Sequence, residues 1–331
     1  MTQMKVRSLM KPYFAAGISL LVSFCGVLQL PALGEERDLL NAGTGQPPFD
    51  ITKRSVPKEA LHDGGPPKDG IPALDRPRFV AAGEAAGFLK DKDQIIGVYR
   101  NGDAKAYPLK IMVWHELVND EIGGKPSTVS YCPLNGAAVV YHPVVKDQQL
   151  TFGVTGKLYN STVVLYDRQT QSLWSQVTKE AIAGPSTGMK LEMVPSLTTT
   201  WKQWKTLHPD TQVLSPNTGF RRDYNENPYT AYHASDDLMF PVPKNVKSKL
   251  RNKDRVIGLE INGVPKAYAF SKLKKKPTPF EDEIAGQTVR VHFDAKTQTA
   301  SVTDSQGNLL PAFTIFWFAW QAFHPDTQVF E

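Results

Sequence analysis

A β-rich α+β fold in two related halves, each closed by a short tryptophan-bearing helix, is what this chain of 331 residues predicts. Three observations carry the prediction. First, blocks recur in the same order: IIGVYRNGDAKAYPLKIM (95–112) returns as VIGLEINGVPKAYAFSKL (256–273), and TTWKQWKTLHPDTQVLS (199–215) as IFWFAWQAFHPDTQVFE (315–331). Between them, YDRQTQS (166–172) returns loosely as FDAKTQT (293–299). Second, each opening block reads strand, Asn-Gly, strand, the sign of a tight hairpin. Third, stretches rich in Val, Tyr, Thr and Phe at 127–131, 137–141, 150–155, 162–167 and 190–194 read as further strands.

The elements follow in chain order. Residues 1–34 have the form of an export signal: Lys5, Arg7 and Lys11, an uncharged apolar run from Phe14 to Leu30, then Ala32-Leu33-Gly34 before a cut at Glu35. Pro31 closes the apolar run too early for a spanning helix, and no other such run exists, so cleavage without a stable membrane span is expected. The rival reading is a lipoprotein anchored at Cys25, which the bulky Phe24 before it disfavours. Residues 35–78, rich in Pro and Gly, form an extended lead-in lying over the body. A first unit spans 79–235 and a second, shorter, structural one 236–331, joined through the Pro- and Asn-rich stretch around 216–250. The helix of the first unit starts at a Thr cap and presents Trp201 and Trp204, matched by Trp317 and Trp320.

Cleavage leaves 35 basic against 33 acidic residues, a net charge near +2 once the three signal charges are subtracted from 38. That excludes a nucleic-acid footprint. Phosphate loops, dinucleotide fingerprints, Gly-x-Ser-x-Gly, His-Glu-x-x-His and haem motifs are missing from the sequence, so the common cofactor enzymes are unsupported. A periplasmic or secreted protein would keep one cysteine, Cys132, in YCPLNG; it can form no intramolecular disulfide. It is either a buried small hydrophobe or a working thiol.

KIMVWHELVND (110–120) has helical spacing. Ile111, Trp114, Leu117 and Val118 form an apolar stripe, and Met112, His115, Glu116 and Asn119 share the face beside it. STVSYCPL then reads as a strand ending at Cys132 and able to meet His115. A thiol beside an imidazole supports nucleophilic or redox chemistry. With the thioether of Met112 it makes a soft donor set for copper or zinc. Glu116, Asn119, Asp120, Tyr131, Asn160, Asp167, Arg168 and Trp174 are the candidate supporting residues. His142, His208, His233, His292 and His324 have weaker claims, His208 and His324 standing in the repeated His-Pro-Asp turn. The internal comparison leaves about 45 residues of the first half, including WHELVND, YCPLNG and FGVTGKLYNSTVV, without a counterpart, and that is where chemistry is expected.

AYPLKIMVWHELVNDEIGGKPSTVSYCPLNG, LTFGVTGKLYNSTVVLYDRQTQSLWSQVTKEAIAGPSTG and TTWKQWKTLHPDTQVLSPNTGFRRDYNENPYTAY together resemble the domain of unknown function 3179 family, from about Gly64 to Lys272. The family's Trp-His-Glu and Tyr-Cys-Pro-Leu motifs fall on Trp114-His115-Glu116 and Tyr131-Cys132-Pro133-Leu134. The resemblance implies a fold unit and export but brings no activity. Members often carry Cys-Pro-Leu-Cys-Gly where this chain has Asn135, which argues against an obligatory dithiol. The expectation is an exported soluble protein with a soft-metal, copper-type site at Cys132 and His115. The alternatives are a single-thiol enzyme using Cys132 with His115, and a structural or partner-binding module with an inert cysteine.

Overall fold

Asn101 and Gly102 adopt φ of 51° and 84°, and Asn262 and Gly263 of 50° and 78°. Two successive left-handed residues are what a two-residue hairpin turn requires, and each pair builds one. In this computed structural model, which describes residues 37–243 and 247–331, Gln94–Arg100 pairs with Asp103–Pro108, and Arg255–Ile261 with Val264–Ala269. Leu197–Thr200 adds antiparallel to the first hairpin and Gln212–Leu214 adds parallel. Phe313–Phe316 and Gln328–Val329 add to the second in the same senses. The export signal and Cys25 lie outside the described residues. Arg37–Glu331 form one compact unit, β-rich with few helices.

The helices are short: α1 (Leu109–His115), α2 (Trp201–Leu207), α3 (Thr230–Ala234), α4 (Phe270–Leu273) and α5 (Trp317–Phe323). Thr200 caps α2 by accepting the Gln203 N–H, as its sequence position predicts. Trp201, Trp204, Trp317 and Trp320 are all buried. Each inner tryptophan lies flat on a strand glycine. A Cβ on Gly97 would stand 2.3 Å from Trp204 Cε3, and one on Gly258 2.5 Å from Trp320 Cε3. The indole N–H groups donate to Thr211 (2.9 Å) and Thr327 (2.8 Å).

Beside two short two-stranded ribbons, three further sheets are present among the described residues. Leu117–Ile122, Lys125–Cys132, Ala137–His142 and Glu192–Val194 form a four-stranded sheet. Phe280–Ile284, Gln287–Asp294 and Thr299–Asp304 form a three-stranded one. The third joins Phe152–Tyr159, Thr162–Asp167, Leu173–Ser175 and Ala181–Ala183 to Leu61–Asp63 of the lead-in. The lead-in is therefore packed, with Leu40, Phe49 and Ile51 buried against Val164, Tyr166 and Ile182.

Two expectations change here. The helix does not run from 110 to 120. It stops at His115, Glu116 turns left-handed (φ 58°), and Leu117–Ile122 continues as a strand. The competing signal is Gly123-Gly124, at φ 55° and 69°, which makes a tight hairpin and sets Leu117 opposite Ser130. Six strand residues pairing across that hairpin outweigh one more helical turn. Asn119 consequently faces away from His115 and bonds Asp75, Phe152 and Thr128. The second change concerns the internal comparison. Asp294 and Asp167 close similar turns, each carboxylate accepting a threonine N–H three residues on and each followed by a left-handed Gln. By strand order, however, Asp294 ends a strand opposite Thr299 as Cys132 ends the strand opposite Ala137. The strands holding WHELVND and YCPLNG thus have topological counterparts, and the piece without one is the sheet of 152–183.

Candidate functional site

Glu116 sits where α1 becomes strand, and its carbonyl accepts the Tyr131 N–H at 2.8 Å. This places the two family-like motifs side by side. The ionisable neighbour of Cys132 is Glu116; the His115 ring is engaged elsewhere, its Nδ1 at 2.9 Å from the Pro72 carbonyl and its Nε2 at 2.8 Å from the Tyr224 hydroxyl. Burial holds His115 below the usual imidazole range.

Cys132 is 1% exposed. Burial, reinforced by the Glu116 carboxyl, pushes its thiol up to about 12. The backbone N–H groups of Asn135, Val163 and Leu134 act in the opposite sense, but burial wins. Burial alone pushes Glu116 up to about 8, so at neutral pH it is a carboxylic acid. Tyr131 is raised above the usual phenol range by burial, Cys132 and Glu116, against a lowering influence of Arg255. Among the described residues, the Glu116 carboxyl, the Tyr131 hydroxyl and the Arg255 guanidinium have no hydrogen bond to protein. None of their polar atoms is sealed from solvent, so three groups in one neighbourhood keep hydrogen-bonding capacity that an incoming molecule can meet.

Tyr131 opens onto a cleft of about 430 Å³ that Lys110 of α1 lines on one side and Tyr224, Asn227 and His233 on the other. Both motifs hold the outer wall. Trp114 Nε1 donates to the Glu226 carbonyl (3.1 Å), and His115 meets Tyr224. The Leu134 carbonyl accepts from the Tyr232 hydroxyl (3.0 Å), and the Pro133 carbonyl lies 2.7 Å from His233 Nε2. The motif residues thus fasten the segment 224–233 over the site.

The remaining candidates have structural partners. Met112 is fully buried among aliphatic side chains such as Ile111 and Val129. Asp120 accepts from Lys105 (3.0 Å) and Tyr107 (2.6 Å), as Asp282 does from Lys266 and Tyr268. Asn160, with Ser161, makes a left-handed hairpin turn. Asp167 accepts from Thr170 and from Trp174 Nε1, and Arg168 pairs with Asp75 at 2.7 Å. Asn135, in place of a second cysteine, is buried and bonds Thr162 and Gln176. Among the described residues no group of three or more His, Cys, Asp or Glu is placed to hold a metal ion.

Sequence reasoning missed Tyr224, Tyr229, Tyr232 and Arg255. One signal was available: YNENPYTAYH sets four polar-tipped rings in a stretch otherwise read as a join. Arg255 carried none. Residues 68–327 match the family model described as "Protein of unknown function (DUF3179)". No curated protein and no solved structure matches the chain.

Proposed function

Because the chain belongs to the family of proteins of unknown function DUF3179, whose name assigns no activity, we propose from the geometry that it is an exported small-molecule-binding protein. The observation that carries this reading is the pair Glu116 and Tyr131, 5% and 6% exposed and without a hydrogen bond to protein, with Tyr131 opening onto a polar cleft. Convergent polar groups at the base of a concavity are the ordinary anatomy of a ligand site. A bound molecule completes their hydrogen bonds. Cys132 is then a packing residue behind the site, and its raised thiol suits that better than nucleophilic chemistry.

Two equivalently built hairpin sheets support descent of both halves from one duplicated unit, the second acting as scaffold. On that view Cys132 stands where the other half has Asp294, whose carboxylate accepts the N–H groups of Lys296 and Thr297, two and three residues on. The N–H groups that favour the Cys132 thiolate, those of Leu134 and Asn135, stand at the same offsets. The turn after the strand is then a device common to both halves.

The test incubates the purified chain with the small-molecule extract of its own source cells, removes unbound material by desalting, and identifies what denaturation releases. Wild type should retain a compound that Glu116→Ala and Tyr131→Phe lose. The same retained set in all three would reject the reading. A soft-metal site at Cys132 is the second reading, supported by the three backbone N–H groups that favour a thiolate there. Copper titration of wild type against Cys132→Ala and His115→Ala decides it, equal stoichiometry and affinity in all three counting against it.

A further inference from the structure

Three arginines are partly buried among the described residues: Arg100, Arg168 and Arg255. Arg100 donates to the Pro126 carbonyl and Ser127 Oγ, and Arg168 pairs with Asp75. Arg255 does neither. Its only close partner is the face of Phe270, 4.9 Å from the guanidinium carbon. A guanidinium cannot shed its charge at accessible pH, so leaving it half-buried without an anion is costly.

The position of Arg255 says what it is for. It opens the strand Arg255–Ile261, directly opposite Phe316. Opposed residues in an antiparallel pair project to the same face. The Phe316 ring on that face packs edge-on against His233 at 5.7 Å and lies against Gly136 of the Cys-Pro-Leu-Asn-Gly turn. The Arg255 side chain is thereby brought from the second half to the site of the first, and Tyr131 feels its charge. No carboxylate lies within ion-pairing distance of it among the described residues.

We propose that Arg255 is the counter-ion of an oxyanion-bearing ligand, a small carboxylate, seated at the base of the cleft with the Tyr131 hydroxyl as a second donor and Glu116 as a third. This deepens the binding-site reading and rests on it. All three groups present hydrogens: the guanidinium always, the phenol always, and Glu116 because its carboxyl stays protonated at neutral pH. The guanidinium has no acceptor and carries a permanent charge, so with two further hydrogens beside it the set favours an acceptor with negative charge over a neutral amide of the same shape.

The test is ligand-observed NMR on the full mature chain with acetate, its neutral isostere acetamide, and inorganic phosphate, at constant ionic strength in chloride. Acetate should bind saturably and acetamide should not. Arg255→Gln should weaken acetate by about tenfold or more, the change expected from removing one charge-assisted hydrogen bond. Arg290→Gln, at a surface pair with Glu281, should leave it unchanged. Equal binding of acetate and acetamide would overturn the oxyanion assignment while leaving a ligand site at the cleft. Acetate affinity unaffected by Arg255→Gln would overturn the role of Arg255. Binding of neither probe would overturn the inference, whereas the extract experiment separately decides whether the cleft is a site at all. Phosphate binding in preference to acetate would reassign the oxyanion and overturn the carboxylate class. If Arg255→Gln fails to fold by near-ultraviolet circular dichroism, Tyr131→Phe, which removes one oxygen, gives the same reading: an unchanged acetate affinity refutes the donor set.

Discussion

Replacing Glu116 by Gln should make the protein more stable, and more so as pH rises. The Glu116 carboxyl is buried and its pKa moves from the usual 4.5 up to about 8. Between those values the native chain holds a proton that the unfolded chain has released. Stability falls with pH wherever the folded state binds more protons, so the cost is absent below about 4.5 and complete above about 8. At about 1.4 kcal/mol per pH unit over about 3.5 units, the cost approaches 5 kcal/mol, a large part of a total of roughly 5–15 kcal/mol. Glutamine keeps the shape, accepts the left-handed backbone as readily as Glu, and cannot ionise. Urea unfolding of both proteins at pH 5, 6, 7 and 8 is the assay. The variant-minus-wild-type difference cancels the histidines that titrate in the same window. That difference should be about 1 kcal/mol or less at pH 5, about 3 kcal/mol at pH 7, and begin to flatten by pH 8. A difference constant across the series would show that Glu116 is solvated, and the reasoning that joins it to the cleft would fail.

Three further outcomes are expected. Iodoacetamide should leave native Cys132 unlabelled at pH 8 and label it on denaturation, since its thiol lies near 12; native labelling at the rate of a free thiol contradicts this. Gly97→Ala and Gly258→Ala should each destabilise by about 1–3 kcal/mol, because the new methyl meets a buried indole ring that has no room to retreat; unchanged melting midpoints would refute it. Burial, with Lys179 second, holds His324 down near 4 despite Glu260 at 3.9 Å, a carboxylate too solvated to retain the proton. A depressed imidazole stabilises above its unfolded value of 6.5 and loses that contribution as pH falls towards 4, so His324→Asn should flatten the acid limb of a stability–pH curve, and an unaltered limb would count against it.

Much of the scaffold was legible in the sequence because its signals are local. Asn-Gly at 101 and 262 fixes two turns, and strand composition located the segments at 127–131, 137–141 and 162–167. The Trp-x-x-Trp spacing announced one buried face per helix. The helix at 110–120 was misjudged because periodicity was weighed without Gly123-Gly124, whose hairpin claims the residues from Leu117 onward. The letter match of Asp167 to Asp294 found a real likeness of turn, with Thr three residues on donating to the carboxylate in both. A turn is local, however, whereas strand order, which sets Asp294 where Cys132 stands, exists only once strands pair. The site was legible in part. His115, Glu116, Tyr131 and Cys132 stood out, but their grouping depends on a one-residue reversal at Glu116 that exchanges Cys132's neighbour from His115 to Glu116. Arg255 was invisible, since 123 residues separate it from Cys132 and only the packing of the two halves brings it near.

The His115 contacts have a direction. A carbonyl can only accept, so the hydrogen on Nδ1 is spent on Pro72 and Nε2 is left bare. Tyr224 must then give its own hydrogen to Nε2, and Thr218, 2.6 Å from the same phenol, must give its hydrogen to Tyr224. The sequence of gifts runs Thr218, Tyr224, His115, Pro72 and cannot be reversed at one link without reversing the links before it. Two tyrosines border the cleft, and they are therefore not equivalent to an incoming molecule. Tyr224 has committed its hydrogen and offers only a lone pair, while Tyr131 still has one to give.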